Sequence, residues 1–467
     1  MAYMGSTNQK RLESNAIGSP ATRTPAAGIR LPNPAVWDSF VMVLVCAYVF
    51  AVANVPEAVP FTDLLALLTL AAWFWLSRTR GKLRAADAGA LALFAILALW
   101  AFRDRSVIGI GRVSAAYRGM AVYWLLRTVR RPAAARGIGI GIGVAAAMLS
   151  FFAIESVHAW VEAVLGAGFT DVMALKASMP SPLRGLVNEW ATILLLCLVL
   201  QVAAIRIPAG WRSVSNILCA ASAWLTTCAL FLTFSRGAYL ALAFFLAGLL
   251  GFGVLRNSRR AVALAAILAA GVGAGAVCMN GLSAGSVAVT AAMHSTEQQR
   301  RSSRGRLEVW SNAVELATAH PVLGAGPGRF AMRYLPKARL AEGKQFISRP
   351  LNTGLTILIE EGIVGLALYL FITALAGWAA LRDVVRLRAS RAWPAAAVLA
   401  GIGALAVREA AFSSLIENRT VTMLYWILPG MAMASLRPQR RTESARRFTI
   451  PHRVALSALA ILGSVKK

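Results

Sequence analysis

The residues with chemistry to offer in this sequence are mostly arginines, and their spacing sets them where apolar runs end. The run 231–245 is broken once, by Ser235-Arg236-Gly237. A guanidinium is expensive in hydrocarbon, so Arg236 needs either the membrane surface or an anionic partner. Downstream, the polar stretch 281–350 holds ten bases (Arg300, Arg301, Arg304, Arg306, Arg329, Arg333, Lys337, Arg339, Lys344, Arg349) against four acids (Glu297, Glu308, Glu315, Glu342). Arginine's fixed donor fork suits phosphate. The bland ligand for such a surface is lipid headgroups, to which arginine snorkels; the sharper one is a pyrophosphate-linked substrate. Arg184 and Asn188, in "RGLVNEW", and Arg349 are weaker candidates for holding that phosphate. Asn352, Glu360 and Glu361 stand where the next apolar run begins, and a carboxylate there is better explained by structural pairing than by acid–base work. His294 and His320 lack second ligands at metal spacing, and no paired-Asp motif for a metal-bound sugar nucleotide is present, so no metal or cofactor is expected.

The elements that must position these groups are membrane spans. Of 467 residues, 58% are hydrophobic and 15% charged, too little charge for the surface of a soluble domain of this length. The apolar residues come in blocks long enough to cross a hydrocarbon core. About twelve spans are expected, near 36–55, 61–77, 87–102, 107–126, 137–155, 189–206, 214–234, 237–255, 261–280, 355–380, 394–412 and 420–437. The fourth is interrupted by Arg112 and Arg118. Loops after every even-numbered span are basic ("SRTRGKLR", "RTVRRPAAAR", "RIPAGWR", "RNSRR", "LRDVVRLRASR", then "RPQRR"). That alternation places both termini in the cytoplasm by the positive-inside rule. It also explains most of the net charge of +28 without nucleic acid. Parity puts Ser235-Arg236-Gly237 in a tight outer turn, with Gly237 permitting the reversal, and puts the loops 156–188 and 281–350 on the same face.

Residues 1–35 are polar and basic and are expected as a disordered cytoplasmic tail; 438–467 form a second basic tail, with the core domain over 36–437. The five cysteines (Cys46, Cys197, Cys219, Cys228, Cys278) lie in apolar stretches and read as small core residues. "GIGIGIG", 137–143, opens a span and favours close helix packing. Within the long loop, Leu307, Trp310, Val314 and Ala317 fall on one helical face, His320-Pro321 ends the helix, and Gly324, Gly326 and Gly328 make a flexible turn. No strand precedes those glycines and the rest of a nucleotide fingerprint is missing, so they are not a nucleotide loop.

Taken in order, "SRGA", Arg306 before Trp310, "HPVLGAGPGRF", "LNTGLTILIEEGIVG" and the closing "FSSLIENRTVTMLYWILPG" resemble the bacterial O-antigen ligase and polymerase superfamily over about 230–430. The resemblance implies an all-α polytopic membrane protein, GT-C-like, with one long periplasmic loop. It implies an inner-membrane glycosyltransferase that needs no metal and inverts the anomeric carbon, with its active site on the periplasmic face. The donor would be a glycan on undecaprenyl pyrophosphate; the acceptor would be lipid A-core in a ligase or a lipid-linked repeat in a polymerase. By position, Arg236 and Arg306 become the catalytic cations that stabilise charge on the departing diphosphate. Arg184, Asn188, Arg304, Arg349, Asn352 and Glu360 become substrate-binding candidates. One departure is plain: Leu351 stands where the family carries histidine. That weakens the ligase reading specifically and favours a polymerase or exopolysaccharide-type member, a different base, or an inactive homologue. The rival class is a multi-span transporter or lipid-linked glycan flippase, against which stand the missing internal repeat and the clustering of polar groups on one face.

Overall fold

The computed structural model describes residues 39–45, 85–104, 107–129, 132–166, 187–206, 213–281, 296–330, 350–410 and 419–435. Within them all regular structure is helical. After a short helical stretch over 39–45 come α1 (Ala85–Asp104), α2 (Val107–Thr128), α3 (Pro132–Gly166), α4 (Val187–Ala204), α5 (Val214–Phe231) and α6 (Arg236–Leu255). They are followed by α7 (Arg259–Gly281), α8 (Thr296–Ala319), α9 (Thr353–Arg386), α10 (Ala389–Ala410) and α11 (Arg419–Ser435).

Seven of these are long and apolar enough to cross a membrane: α3 over Arg136–Val157, then α4, α5, α6, α7, α9 and α10. Shorter apolar helices run over Ala85–Trp100 and Leu424–Met433. The all-helical, polytopic membrane class expected from composition therefore holds. The expected fourth span is the helix α2, which is not among the seven. The expected span 61–77, both tails and Cys46 lie outside the described residues. Where an outer loop was expected from residue 156, α3 instead continues to Gly166.

Helix α4 is the axis of the bundle, buried at every residue from Glu189 to Ala204. A helix apolar all round has no face to give to lipid or water, and this one packs against α3, α5, α10 and α11. The glycine run in α3 lets that helix approach: a Cβ at Gly139 would stand 2.9 Å from the Leu200 carbonyl oxygen of α4. Several side-chain polar groups inside the bundle find partners within it, as hydrocarbon favours. The Gln201 amide donates to Ser222 Oγ (2.8 Å) and Thr226 Oγ1 (3.0 Å) of α5, and Ser222 Oγ donates to the Gly143 carbonyl of α3 at 2.6 Å. Between α1 and α2, Arg127 pairs with the buried Asp87, which also accepts from Tyr123 Oη at 3.2 Å.

Helix α8 is amphipathic, but its buried face is turned from the expected one. Val309, Ala313, Leu316 and Ala317 pack on Phe330 and Ile359, while Leu307 and Val314 are 64% and 49% exposed. The α8 sequence carries aliphatic residues on neighbouring stripes, so periodicity alone does not choose between them; the packing against α9 does.

Candidate functional site

The polar residues of interest gather at one end of the bundle, where α4, α6 and α9 begin and α10 finishes. The chain leaves α5 and reverses over Leu232–Ser235. The residue in left-handed conformation is Phe234 (φ 52), not Gly237, which lies inside α6. This corrects the expectation that the glycine makes the turn: Ser235 caps α6, and Arg236 is its first residue. A half-buried guanidinium is thereby fixed at a helix N-terminus, the end with positive dipole. Nothing about that placement favours a cation, whereas an anion brought to Arg236 would meet both the side chain and the helix end.

Ser235 Oγ donates to Asn188 Oδ1 at 2.8 Å, tying the start of α6 to the first turn of α4. The Asn188 carbonyl in turn accepts from Arg408 Nη2 at 2.7 Å. Arg408, in the last turn of α10, is 1% exposed, and its neighbour Glu409 accepts from Thr353 Oγ1 at 2.5 Å. Neither residue was singled out from sequence. The signal was present, since a charged pair inside the apolar block 394–412 is costly and calls for a role.

Arg306 reaches the same end from α8. Burial, and then the charge of Arg236, hold its guanidinium below the usual arginine range, though an arginine remains protonated at neutral pH. Its Nε is buried with no hydrogen-bond partner. Among the described residues, neither Arg236 nor Arg306 makes a hydrogen bond or an ion pair through its side chain. Arg306 also acts electrostatically on Arg408. Trp310, one turn along α8, donates its indole N–H to the Pro350 carbonyl at 2.8 Å, and so fixes α8 to the chain just before α9.

The two glycine-rich motifs form one clasp. Helix α9 breaks at Gly362 (φ 70, ψ −170), and the turn after α8 fits into the break. Ala325 N donates to Ile359 O (2.6 Å), Gly326 N to Glu360 O (3.0 Å), Ile363 N to Pro321 O (2.8 Å), and Val364 N to Val322 O (3.3 Å). Glu360 Oε1 accepts from Gly328 N at 2.7 Å. A Cβ at Gly324 would run into the Glu360 main chain, and one at Gly362 into the Val322 carbonyl. The turn expected to be flexible is pinned by these bonds. From α1, Trp100 Nε1 donates to Leu323 O at 2.8 Å, with Arg103 stacked 5.0 Å from the Trp100 ring.

These elements coincide with a family. A family model described as O-antigen ligase matches residues 221–370. The match runs from within α5 into α9. The match supports the resemblance to the O-antigen ligase and polymerase superfamily, and with it an O-antigen ligase/polymerase-type function in a membrane protein. No curated protein matches the chain.

Within the matched residues lie Arg236, Arg306, the clasp, Asn352 and Glu360; Asn188 and Arg408 lie outside them. Asn352 caps α9, accepting from Leu355 N at 2.9 Å and donating to the Ala410 carbonyl at 2.9 Å. Leu351, where the resemblance leads one to expect histidine, has φ 55. Arg304 is exposed on α8, two residues from Arg306 and so off its face. Arg184 and Arg349 lie outside the described residues.

Proposed function

We propose that this chain transfers a glycan from undecaprenyl pyrophosphate at the periplasmic face of a bacterial inner membrane, with Arg236 and Arg306 gripping the diphosphate. The observation that carries this reading is the meeting of two arginines from separate parts of the matched segment, neither with a hydrogen-bonding or ionic partner among the described residues. Like charges held together repel, so the arrangement calls for an anion. A diphosphate supplies one and presents oxygens in the geometry that guanidinium forks match.

In the reaction, an acceptor hydroxyl oxygen bonds to the anomeric carbon while the bond from that carbon to the carrier's phosphate oxygen breaks. The electron pair leaves on the diphosphate, and the two arginines stabilise it as it builds, without any proton shift of their own. The hydroxyl proton passes to solvent or to the leaving phosphate. Leucine cannot move a proton, so Leu351 favours polymerase-type transfer to a lipid-linked glycan over ligation to lipid A-core. Glu360, held by Gly328 in the clasp, positions the turn. Asn188 acts through Ser235 at the start of α6.

The test is glycan profiling of cells in which the gene is replaced by variants expressed at equal level. Arg236→Ala abolishes transfer, and Arg236→Lys does nearly the same because it keeps charge but loses the fork. Normal profiles from Arg236→Ala would refute the assignment. Leu351→His separates the two acceptors: new glycan on lipid A-core marks a diverged ligase, and an unchanged profile marks polymerase chemistry.

A further inference from the structure

We infer that Arg408 is a positioning residue, which sets Arg236 through a relay of Asn188 and Ser235. The inference rests on the diphosphate reading above for its functional consequence, but its geometry stands apart from it. Arg408 is buried in the last turn of α10, outside the O-antigen ligase match; its Nη2 reaches α4, and the charge of Arg306 acts on it. A buried guanidinium is costly unless its donors are used. Here Nη2 donates to the Asn188 main-chain carbonyl at 2.7 Å. The same residue's side-chain oxygen accepts from Ser235 Oγ at 2.8 Å. Ser235 is the cap of α6, whose carbonyl receives Ala238 N (2.9 Å) and Tyr239 N (3.0 Å), so it fixes the direction in which Arg236 leaves the helix.

The relay joins three helices that are far apart in sequence. Arg408 orients Asn188; Asn188 holds the Ser235 hydroxyl; Ser235 sets the first turn of α6. Its other end is anchored where α9 begins. Glu409 accepts from Thr353 of the first α9 turn, and Glu409 and Arg306 act on the Arg408 charge with opposite signs. The element that carries the family's histidine position is thereby braced against the element that aims Arg236. A small misplacement of a charge-stabilising group is enough to cost about 100-fold in rate, which is why a residue that never meets substrate can matter here.

The experiment compares single and paired variants at matched membrane level and matched melting temperature. Arg408→Met lowers transfer by about 10- to 100-fold, and Ser235→Ala lowers it similarly. The Arg408→Met/Ser235→Ala pair falls no further than the worse single variant, because both cut one relay. Arg408→Lys, which keeps charge and one donor, restores most of the transfer, whereas Arg236→Lys does not. Multiplying effects, or equal failure of both lysine variants, would overturn the relay. A second readout needs no substrate: hydrogen exchange of the first-turn amides of α6. Protection at Ala238 and Tyr239 drops in Arg408→Met while that of the α4 centre is kept; unchanged protection also overturns the relay. If Arg236→Ala keeps transfer while the exchange result holds, the diphosphate reading fails and the relay survives as a structural device.

Discussion

The two ends of the helical bundle both carry arginines, and they treat them differently. At the end away from the clasp, guanidiniums have acceptors close by, although Arg136 Nε is buried without one. Arg256 Nη2 donates to the Val384 carbonyl and to that of Val385 (3.1 Å), near the end of α9, where the helix dipole favours a cation. Arg136 donates to Ser215 Oγ at 2.6 Å, and Arg127 pairs with Asp87. At the clasp end, Arg236 and Arg306 sit within each other's field with no such partner among the described residues. The backbone follows the same division. The reversal from α6 to α7 uses Asn257 (φ 46), a residue type that tolerates the left-handed region, whereas the clasp end places Phe234 (φ 52) and Leu351 (φ 55) there. One end is built for stability and the other carries unrelieved charge and strained backbone, the mark of a surface shaped around something else.

The sharpest way to break that contrast is to exchange the arginines for methionine. Arg306→Met lowers glycan transfer by about 100-fold or more, the scale on which a preorganised charge-stabilising group acts. The same variant melts no lower than the wild type. Burial and Arg236 depress the pKa of Arg306, so the folded state disfavours the charge carried at neutral pH, and that penalty fades only as pH climbs through the folded value. Removing the charge removes the penalty. A lower melting temperature would mean that Arg306 has a structural partner after all.

Next in size is the clasp. Gly362→Ala puts a Cβ against the Val322 carbonyl at a positive φ, and Gly324→Ala meets the Glu360 main chain in the same way. Each loses about 3 kcal/mol or more of stability, read as a collapse in folded yield and melting temperature in detergent. Smaller again, Arg256→Met removes a cap from α9 and costs about 1–2 kcal/mol, with transfer unchanged at matched protein level. Loss of transfer there would erase the distinction between the two ends.

Much of this arrangement was legible in the sequence, for a physical reason in each case. Span length and basic-loop parity are one-dimensional properties, so the helical class and the common face of residues 236 and 306 could be read directly. The clasp could not. Its hydrogen bonds run between main-chain groups 34 to 42 residues apart, and the glycines announce only that something comes close, not that the two motifs close on each other. The reversal was misassigned because Gly237 was the obvious residue for it; tertiary packing instead forces the conformation on Phe234, 4% exposed. Arg408 was missed because a charged pair in an apolar block does not name the groups it will meet. One of them, the carbonyl of Asn188, has no sequence signature.

The smallest prediction tests whether the strain at Leu351 belongs to the site or only to the turn. Leucine in the left-handed region costs about 1–2 kcal/mol relative to a residue at ease there, while asparagine meets that backbone more cheaply, as Asn257 does at the other end. Leu351 is half-buried, so its replacement gives up part of a side chain's packing. Leu351→Asn therefore gains about 0.5 kcal/mol net, read as a slightly higher melting temperature, and Asn257→Leu loses about 1 kcal/mol. If the leucine were merely tolerated, the asparagine variant would transfer glycan as well as the wild type. If its side chain shapes the acceptor's approach in place of the family's histidine, the variant gains stability and loses transfer together. That paired outcome would place Leu351 with the arginines rather than with the scaffold.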